Sequence, residues 1–468
     1  MSKRAFPWII VGLLLIYLTA RLTSLTAFPP FVDEAFHINF GRIVLASGPF
    51  ARSEEGRQFV VWLYILFGAQ ANAPIWIARA ANLIVLLPGL AAVMGTAKLL
   101  SNRWGAVFAA LLIIFSPYHH FFERLALADP VASSAVLCAL YFACRLKFRV
   151  AYRDAAFCGI ALFLACGAKI SALPYFAIPV IALIVFARSR TGLRWTVVAL
   201  LVGIGLTGIY LGLLFWRGYN PFFYLETGRT TPLTQIILDN IGKSFATVMG
   251  YFTIPAGILL LIALAVLIVR QRFFLPLCLL LPLAVLWLSP RQDSRHLITP
   301  LTILLLTGAV VLGDLVQQRQ SFRLPALALV TIGGLAIWLP FALTVAHNPA
   351  ALVIPADDHA EYMTTEGSGF GLSEVIAALE PLHPTRVIGV LANCLGLHDI
   401  APFPVDCPRL DPAGADIQAL TSLLASSRAE GVYAVLETIP YAPTSAPGSV
   451  VATIDGEHPR LIIYNLAP

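Results

Sequence analysis

Two adjacent carboxylates, Asp33 and Glu34, stand just beyond the first apolar run of the chain and are followed by Ala35, Phe36 and His37. Ionisable groups beside a bilayer are costly to hold, so they point to ligands or to chemistry. In a helix, Asp33 and His37 at i and i+4 share one face while Glu34 turns aside. A carboxylate beside a second carboxylate and a histidine serves as a general base, or as a ligand for a hard divalent cation such as Mg or Mn. The structural alternative is an acid that caps a juxtamembrane helix. Glu54 and Glu55, further along, either complete a cation site or form a solvated acidic pair. Asp129, in Glu123-Arg124-Leu125-Ala126-Leu127-Ala128-Asp129-Pro130, either caps the helix that Pro130 preorganises or acts as a second acid. The candidate metal ligands are therefore Asp33, Glu55 and Asp129.

Cations accompany these acids. Lys169, Arg291, Arg295 and His296 all sit at ends of apolar runs. There an Arg offers a bidentate fork to a phosphate and a Lys a point charge. Snorkelling to lipid headgroups, or pairing with Asp293, is the alternative for each.

The elements that position these residues follow from composition. The chain is 59% hydrophobic and 12% charged, with a mean hydropathy of +0.82, far outside the soluble range. Apolar runs near the length of a bilayer crossing recur at Phe6–Thr26, Trp76–Ala97, Trp104–Tyr118, Val131–Leu146, Ala155–Ala168, Ile170–Ala187, Trp195–Trp216, Phe245–Val269, Phe273–Ser289, Leu297–Asp314 and Pro325–Ala346. That predicts eleven transmembrane helices.

Alternate loops between these runs carry Lys3, Arg4, Lys98, Arg103, Arg145, Lys147, Arg149, Arg153, Arg188, Arg190, Arg194, Arg270, Arg272, Arg319 and Arg323, which are 15 of the 31 basic residues. Only Asp154 and Asp314 among the acids lie on that side. The positive-inside rule puts the N-terminus in the cytoplasm behind an uncleaved anchor, and puts the other loops and the tail outside. The net charge of +6 thus reflects topology, and no basic segment with interleaved aromatics suggests nucleic acid.

Residues 1–346 read as a membrane region whose first outer loop, about 27–75, contains a short apolar stretch, Phe59 to Gly68, expected as an interfacial helix. Residues 347–468 read as a small α/β domain outside the membrane. Its expected strands are Arg386–Leu391, Val432–Leu436, Val450–Ile454 and Leu461–Tyr464, and its expected helices Leu372–Leu379 and Asp416–Glu430. Gly367, Gly369 and Gly371 read as a plain flexible loop, since no strand leads into them. Cys394 and Cys407 are the two cysteines of this tail and a candidate disulfide. Cys138, Cys144, Cys158, Cys166 and Cys278 fall in apolar runs, where a thiol behaves as a small apolar group.

The order of features resembles the GT-C glycosyltransferases, in the branch of the protein mannosyltransferases and the lipid A aminoarabinose transferases. The resemblance rests on Asp33-Glu34 in a long first outer loop, Ile77-Ala78-Arg79, Ser116-Pro117 followed by Arg124 to Pro130, Gly167-Ala168-Lys169, and Arg295-His296-Leu297. Tyr362 and Ser368 to Leu372 of the tail are also similar to bacterial members. His296 stands where the family has a tyrosine, and Glu55-Gly56-Arg57-Gln58-Phe59 where members often carry Lys-Pro-Pro.

The resemblance implies transfer of a hexosyl or pentosyl group from a polyprenyl-phosphate donor to a lipid, glycan or protein acceptor on the outer face of a bacterial inner or plasma membrane. Asp33, with Glu34, would be catalytic and would invert the sugar carbon in a single displacement. His37, Arg124, Lys169, Arg291, Arg295 and His296 would bind substrate and phosphate. The alternative from a different class is a transporter or flippase of a lipid-linked saccharide, which should place ionisable residues near the bilayer midplane. The span interiors hold almost none.

Overall fold

An apolar segment in lipid must satisfy its own backbone, and the helix does this within one stretch of chain. In the computed structural model, which describes residues 4–51, 56–71, 73–220, 231–290, 292–408, 417–437 and 447–467, every expected crossing falls on helix. The helices of the apolar region are α1 (Ala5–Leu22), α2 (Val32–Ser47), α3 (Gln58–Leu66), α4 (Pro74–Leu100), α5 (Arg103–Ile114), α6 (Pro117–Phe122), α7 (Ala128–Arg145) and α8 (Tyr152–Ala168). They continue as α9 (Ala177–Phe186), α10 (Arg190–Trp216), α11 (Leu233–Phe252), α12 (Ile254–Val269), α13 (Phe274–Trp287), α14 (Ile298–Gln318) and α15 (Arg323–His347).

The chain is an integral membrane protein. Among the described residues five helices are long and apolar enough to cross alone, with Arg103–Ile114, Ile170–Phe186 and Phe274–Trp287 shorter. The count of eleven is thus not reached by length and composition. One expected crossing, Phe245–Val269, is two helices bent by 118°. The bend falls at Thr253, whose φ of +64° cannot continue a helix, and Pro255 then suits the first turn of α12.

The backbone divides into two compact units: Met1–Leu25, Ile43–Leu63 and Arg79–Pro355 form one, and Thr26–Arg42, Tyr64–Ala78 and Ala356–Pro468 the other. In the first unit the span Ser294–Gln318 is central, its most apolar window 89% buried against 6% for Gln320–His347. Helices close on one another through small residues, as expected where lipid tails remove the hydrophobic drive between apolar surfaces. A Cβ built on Gly313 of α14 would lie 2.8 Å from the Gly105 Cα of α5, and one on Gly159 of α8 would press on the Ala199 carbonyl and lie 2.9 Å from the Gly203 nitrogen of α10.

Pro88 interrupts α4, and Ser134 of α7 repairs the ladder. Its hydroxyl donates to the Val85 carbonyl at 2.8 Å and accepts from the Gly89 N–H at 3.1 Å. The two acids among the basic loops are neutralised in place: Asp154 by Arg145 and Arg149 at 3.2 and 3.3 Å, and Asp314 by Arg272, with Ser101 donating to Asp314 at 2.7 Å.

The second unit carries a five-stranded sheet of β1 (Arg386–Val390), β2 (Val405–Asp406), β3 (Val432–Glu437), β4 (Ser449–Ile454) and β5 (Leu461–Asn465), ordered β2-β1-β3-β5-β4. β1 is parallel to β2 and β3, with Val387 opposite Tyr433, while β5 is antiparallel to β3 and β4. Alternate side chains serve two cores, one with Leu372, Val375, Leu379 and Leu397, the other with Leu420 and Leu424. The sheet is therefore sandwiched between α16 (Leu372–Leu379) with α17 (Cys394–Ile400) on one face and α18 (Ile417–Ser426) on the other. The helix α17 and the short β2 were not expected from the sequence. Cys394 and Cys407 are joined in a disulfide beside them.

Expected outcome: Gly159→Leu lowers the detergent melting temperature of the whole chain, at a cost of about 1–3 kcal/mol from overpacking. Gly205→Ala in the same α10, where an added methyl meets nothing within 4 Å, leaves the temperature unchanged or raises it.

Candidate functional site

Within the first unit, three chain reversals converge in a cluster of charge. Asp129 lies in the first turn of α7, Lys169 is the extended residue closing α8, and the one-turn helix Ser294–Leu297 brings Arg295 and His296. The Lys169 Nζ donates to Asp129 Oδ1 at 2.6 Å, and Arg295 Nη2 to Asp293 Oδ2 at 3.0 Å. Asp293 and His296 form a reciprocal capping box in which the Asp293 N–H donates to His296 Nδ1 at 3.2 Å. The neutral ring therefore carries its proton on Nε2, which lies 4.0 Å from Asp129 and 3.9 Å from Asp293.

Asp129 and Lys169 are buried, 7% and 8% exposed. Burial alone would raise the Asp129 carboxyl, but Lys169, then His296 and Arg295, hold it well below the usual carboxylate range. Burial draws the Lys169 ammonium below its ordinary value, while Asp129 opposes that. Asp293 is likewise lowered, against burial, by His296 and Arg295. Such a cluster holds basic groups against carboxylates in a desolvated place, where an arriving oxyanion can take over from a carboxylate.

The loop bearing Asp129 is strapped down by residues that the sequence reading missed. Asn82 Nδ2 donates to the Leu125 and Leu127 carbonyls, both at 3.0 Å. Tyr118 Oη donates to the Ser294 carbonyl at 2.6 Å, and the His119 ring bonds Ser116 and Thr302, each at 2.8 Å. Arg21, fully buried in the last turn of α1, bonds Glu123 Oε2 at 3.3 Å and the Ile113 and Ile114 carbonyls at 3.0 and 3.1 Å. Tyr17 Oη also donates to Glu123, at 3.0 Å. The signal was present: Arg21 sits at the end of its span where the positive-inside rule does not put a cation.

Arg124, expected to bind phosphate, directs its guanidinium to the Thr23 and Ser24 carbonyls and, at 2.9 Å, to His120 Nε2. These bonds secure the end of α1. His120 Nδ1 faces Arg21 and the Trp338 indole at 3.0 and 3.1 Å, and burial with both guanidiniums holds its ring well below the usual pKa.

In the second unit, Asp33 and Glu34 are the second and third residues of α2. Glu34 is fully buried and its Oε2 accepts the Phe31 N–H at 2.9 Å, the reciprocal half of a capping box. Glu34 thus takes the capping role that the sequence left open, and its neighbour Asp33 is half-buried. His37 packs its ring on Tyr64, centroids 6.4 Å apart.

Arg291, Glu54 and Glu55 lie outside the described residues. Among the described residues no three His, Cys, Asp or Glu side chains are grouped to hold a metal ion. Asp129 already has an ammonium on its oxygen, so its surroundings do not fit a divalent cation.

No protein-family profile matches the chain, and no curated protein matches it. Solved structures do. ArnT from Cupriavidus metallidurans bound to undecaprenyl phosphate superposes with a TM-score of 0.63 at 16% identity over 100% of both chains. The apo state of the same protein gives 0.64 at 17% identity over 100% of both. The Archaeoglobus fulgidus oligosaccharyltransferase complex with Zn and sulfate gives 0.56 at 14% identity, covering 92% of this chain and 68% of that one. The chain has the fold of the GT-C glycosyltransferases.

Expected outcome: Asp129→Asn and Lys169→Met each destabilise the detergent-solubilised protein by about 3–5 kcal/mol, since each leaves one buried charge unmatched. The double variant recovers most of that loss. The Asp129 carboxyl is lowered, so the stability it contributes is present above the ordinary carboxylate pKa and lost only as the pH falls through the depressed value. Thermal melts of the four proteins measure both effects.

Proposed function

We propose that the chain is a membrane glycosyltransferase that moves a hexosyl or pentosyl group from a polyprenyl-phosphate-linked donor to a lipid, glycan or protein acceptor on the outer face of a bacterial inner membrane, with inversion. The N-terminus is cytoplasmic and the C-terminal unit is outside. The observation that carries this reading is the buried cation cluster of Lys169 and Arg295, in a fold that another protein uses while bound to undecaprenyl phosphate. No nucleotide sugar is available outside the cytoplasm, so the leaving group must arrive as a lipid-linked phosphate.

In the proposed step the Asp33 carboxylate takes the proton of an acceptor hydroxyl, and that oxygen attacks the anomeric carbon of the sugar. The bond from this carbon to the phosphate oxygen breaks, and polyprenyl phosphate departs with the electron pair. Lys169 and Arg295 stabilise the negative charge that develops on the phosphate. His296 donates through Nε2, and Asp129 and Asp293 hold the cations in place until the phosphate arrives.

Complementation of a deletion strain, read by mass spectrometry of glycans and glycolipids, tests the assignment. Asp33→Asn is expected to reduce the transferred sugar by about 10²–10⁴-fold with normal accumulation of the protein. Lys169→Ala is expected to lose about 10²–10³-fold. Full activity of Asp33→Asn would remove it as the base, and uptake of a lipid-linked saccharide into proteoliposomes without glycosyl transfer would overturn the enzyme reading.

A further inference from the structure

The second unit contains both the tail and the start of the helix that carries Asp33. The segment ahead of that helix, Ala27-Phe28-Pro29-Pro30-Phe31, contains two prolines that cannot donate to any ladder. Its conformation must be set from outside, and the tail does so. The buried Asn393 donates through Nδ2 to the Pro30 carbonyl at 2.8 Å, and the Val32 N–H donates to the Gly367 carbonyl at 3.0 Å. Phe31 packs on Tyr362 with centroids 4.6 Å apart, and Phe28 meets Phe370 edge-on at 5.6 Å.

The glycine-rich stretch, expected as a flexible loop, is part of this seat. Gly369 has φ +80°, and a Cβ there would press into the Pro30 carbonyl oxygen, while one on Gly367 would lie 3.0 Å from Val32 Cγ1. Both positive φ and close approach require glycine.

Asn393 does a second thing. Its Oδ1 accepts the Gly396 N–H at 3.2 Å and so caps α17. Near the other end of α17, Asp399, whose side chain is fully buried, bonds Arg42 of α2 at 2.5 Å. One short helix, tied by Cys394 to Cys407, therefore holds α2 at two points: just ahead of Asp33, and about two and a half turns beyond it.

We infer that α17 is a clamp that positions Asp33, and that Asn393, Asp399 and Arg42 are positioning residues for the transfer reaction. This rests on Asp33 being the base. The physical reason is geometric: a base misplaced by about 1 Å costs on the order of a hundredfold in rate, and an acid in the first turn of a helix moves with that turn. Asn393 fixes that turn through the carbonyl three residues ahead of Asp33.

The test uses the full-length protein and two readouts. Asn393→Asp keeps the acceptor that caps α17 but replaces the donor aimed at Pro30 with a second acceptor. Hydrogen exchange in detergent is expected to speed up at least tenfold across residues 32–42, with β1 and β3 unchanged. The same variant is expected to lower the transferred sugar in the complemented deletion strain about ten- to a hundredfold. Arg42→Asp and Asp399→Arg singly give the same two effects, and the combined exchange restores both, which a general loss of fold would not do.

Unchanged exchange, faster exchange with full transfer, or no rescue by the exchanged pair would each overturn the clamp. If Asp33→Asn is inactive while these variants transfer normally, the clamp fails and the base stands. If Asp33→Asn is active, the base fails, and with it the catalytic purpose of the clamp, whatever the exchange data show.

Discussion

A charge taken out of water must be matched where it sits, and this requirement organises the membrane unit. Lys169 and Asp129 meet at 2.6 Å while both are buried. At an effective dielectric near 20 two charges about 4 Å apart attract by roughly 4 kcal/mol. Removing each from water costs several kcal/mol. The desolvation of the two ions therefore outweighs their attraction, and an apolar pair would hold the bundle as well or better. In the proposed reaction the ion pair supplies an ammonium in a desolvated place, with a counterion that an incoming oxyanion replaces. The same rule explains Arg21 on Glu123, Asp154 between its arginines and Asp314 on Arg272. For Arg21 and Asp314 the carbonyl and hydroxyl partners point to fastening.

Fastening is what turns a charge cluster into a site. Asn82 bonds two carbonyls of the loop that ends in Asp129, and Tyr118 bonds the turn that carries Arg295 and His296. Neither residue is charged, and neither belongs to the cluster. Each removes a freedom that the loop would otherwise keep, so the donors need little reorganisation when charge develops. The second unit solves a related problem with other parts: a glycine where Pro30 comes close, an asparagine amide, and a capping carboxylate at Glu34.

The apolar helices and the tail strands were legible because their signals are local, though the number of crossings was not. Each apolar run reads as helix by its own composition, and Val432–Leu436 and Leu461–Tyr464 alternate sheet faces whatever they pair with. The charged end of the cluster was legible as well, since Lys169, Arg295 and His296 occupy positions that topology alone would leave neutral. The break at Thr253 was not, because a threonine followed by Ile254 and Pro255 looks like any helix start inside a long apolar run. Glu34 as a cap, Asn393 as a dual bonding residue and Gly369 as a seat depend on partners 3 to 363 residues away. Spacing along a chain carries no trace of such partners. The helix Cys394–Ile400 was missed for a related reason: its seven residues are too few to show a period.

In the proposed reaction the buried cations receive a lipid-linked phosphate. Native mass spectrometry of the full-length protein with undecaprenyl phosphate measures that directly. Binding by the natural chain is expected to weaken at least tenfold in a Lys169→Met/Asp129→Asn double variant, which keeps the fold but removes the ammonium. Equal affinity in the two proteins, with both folded, would contradict it.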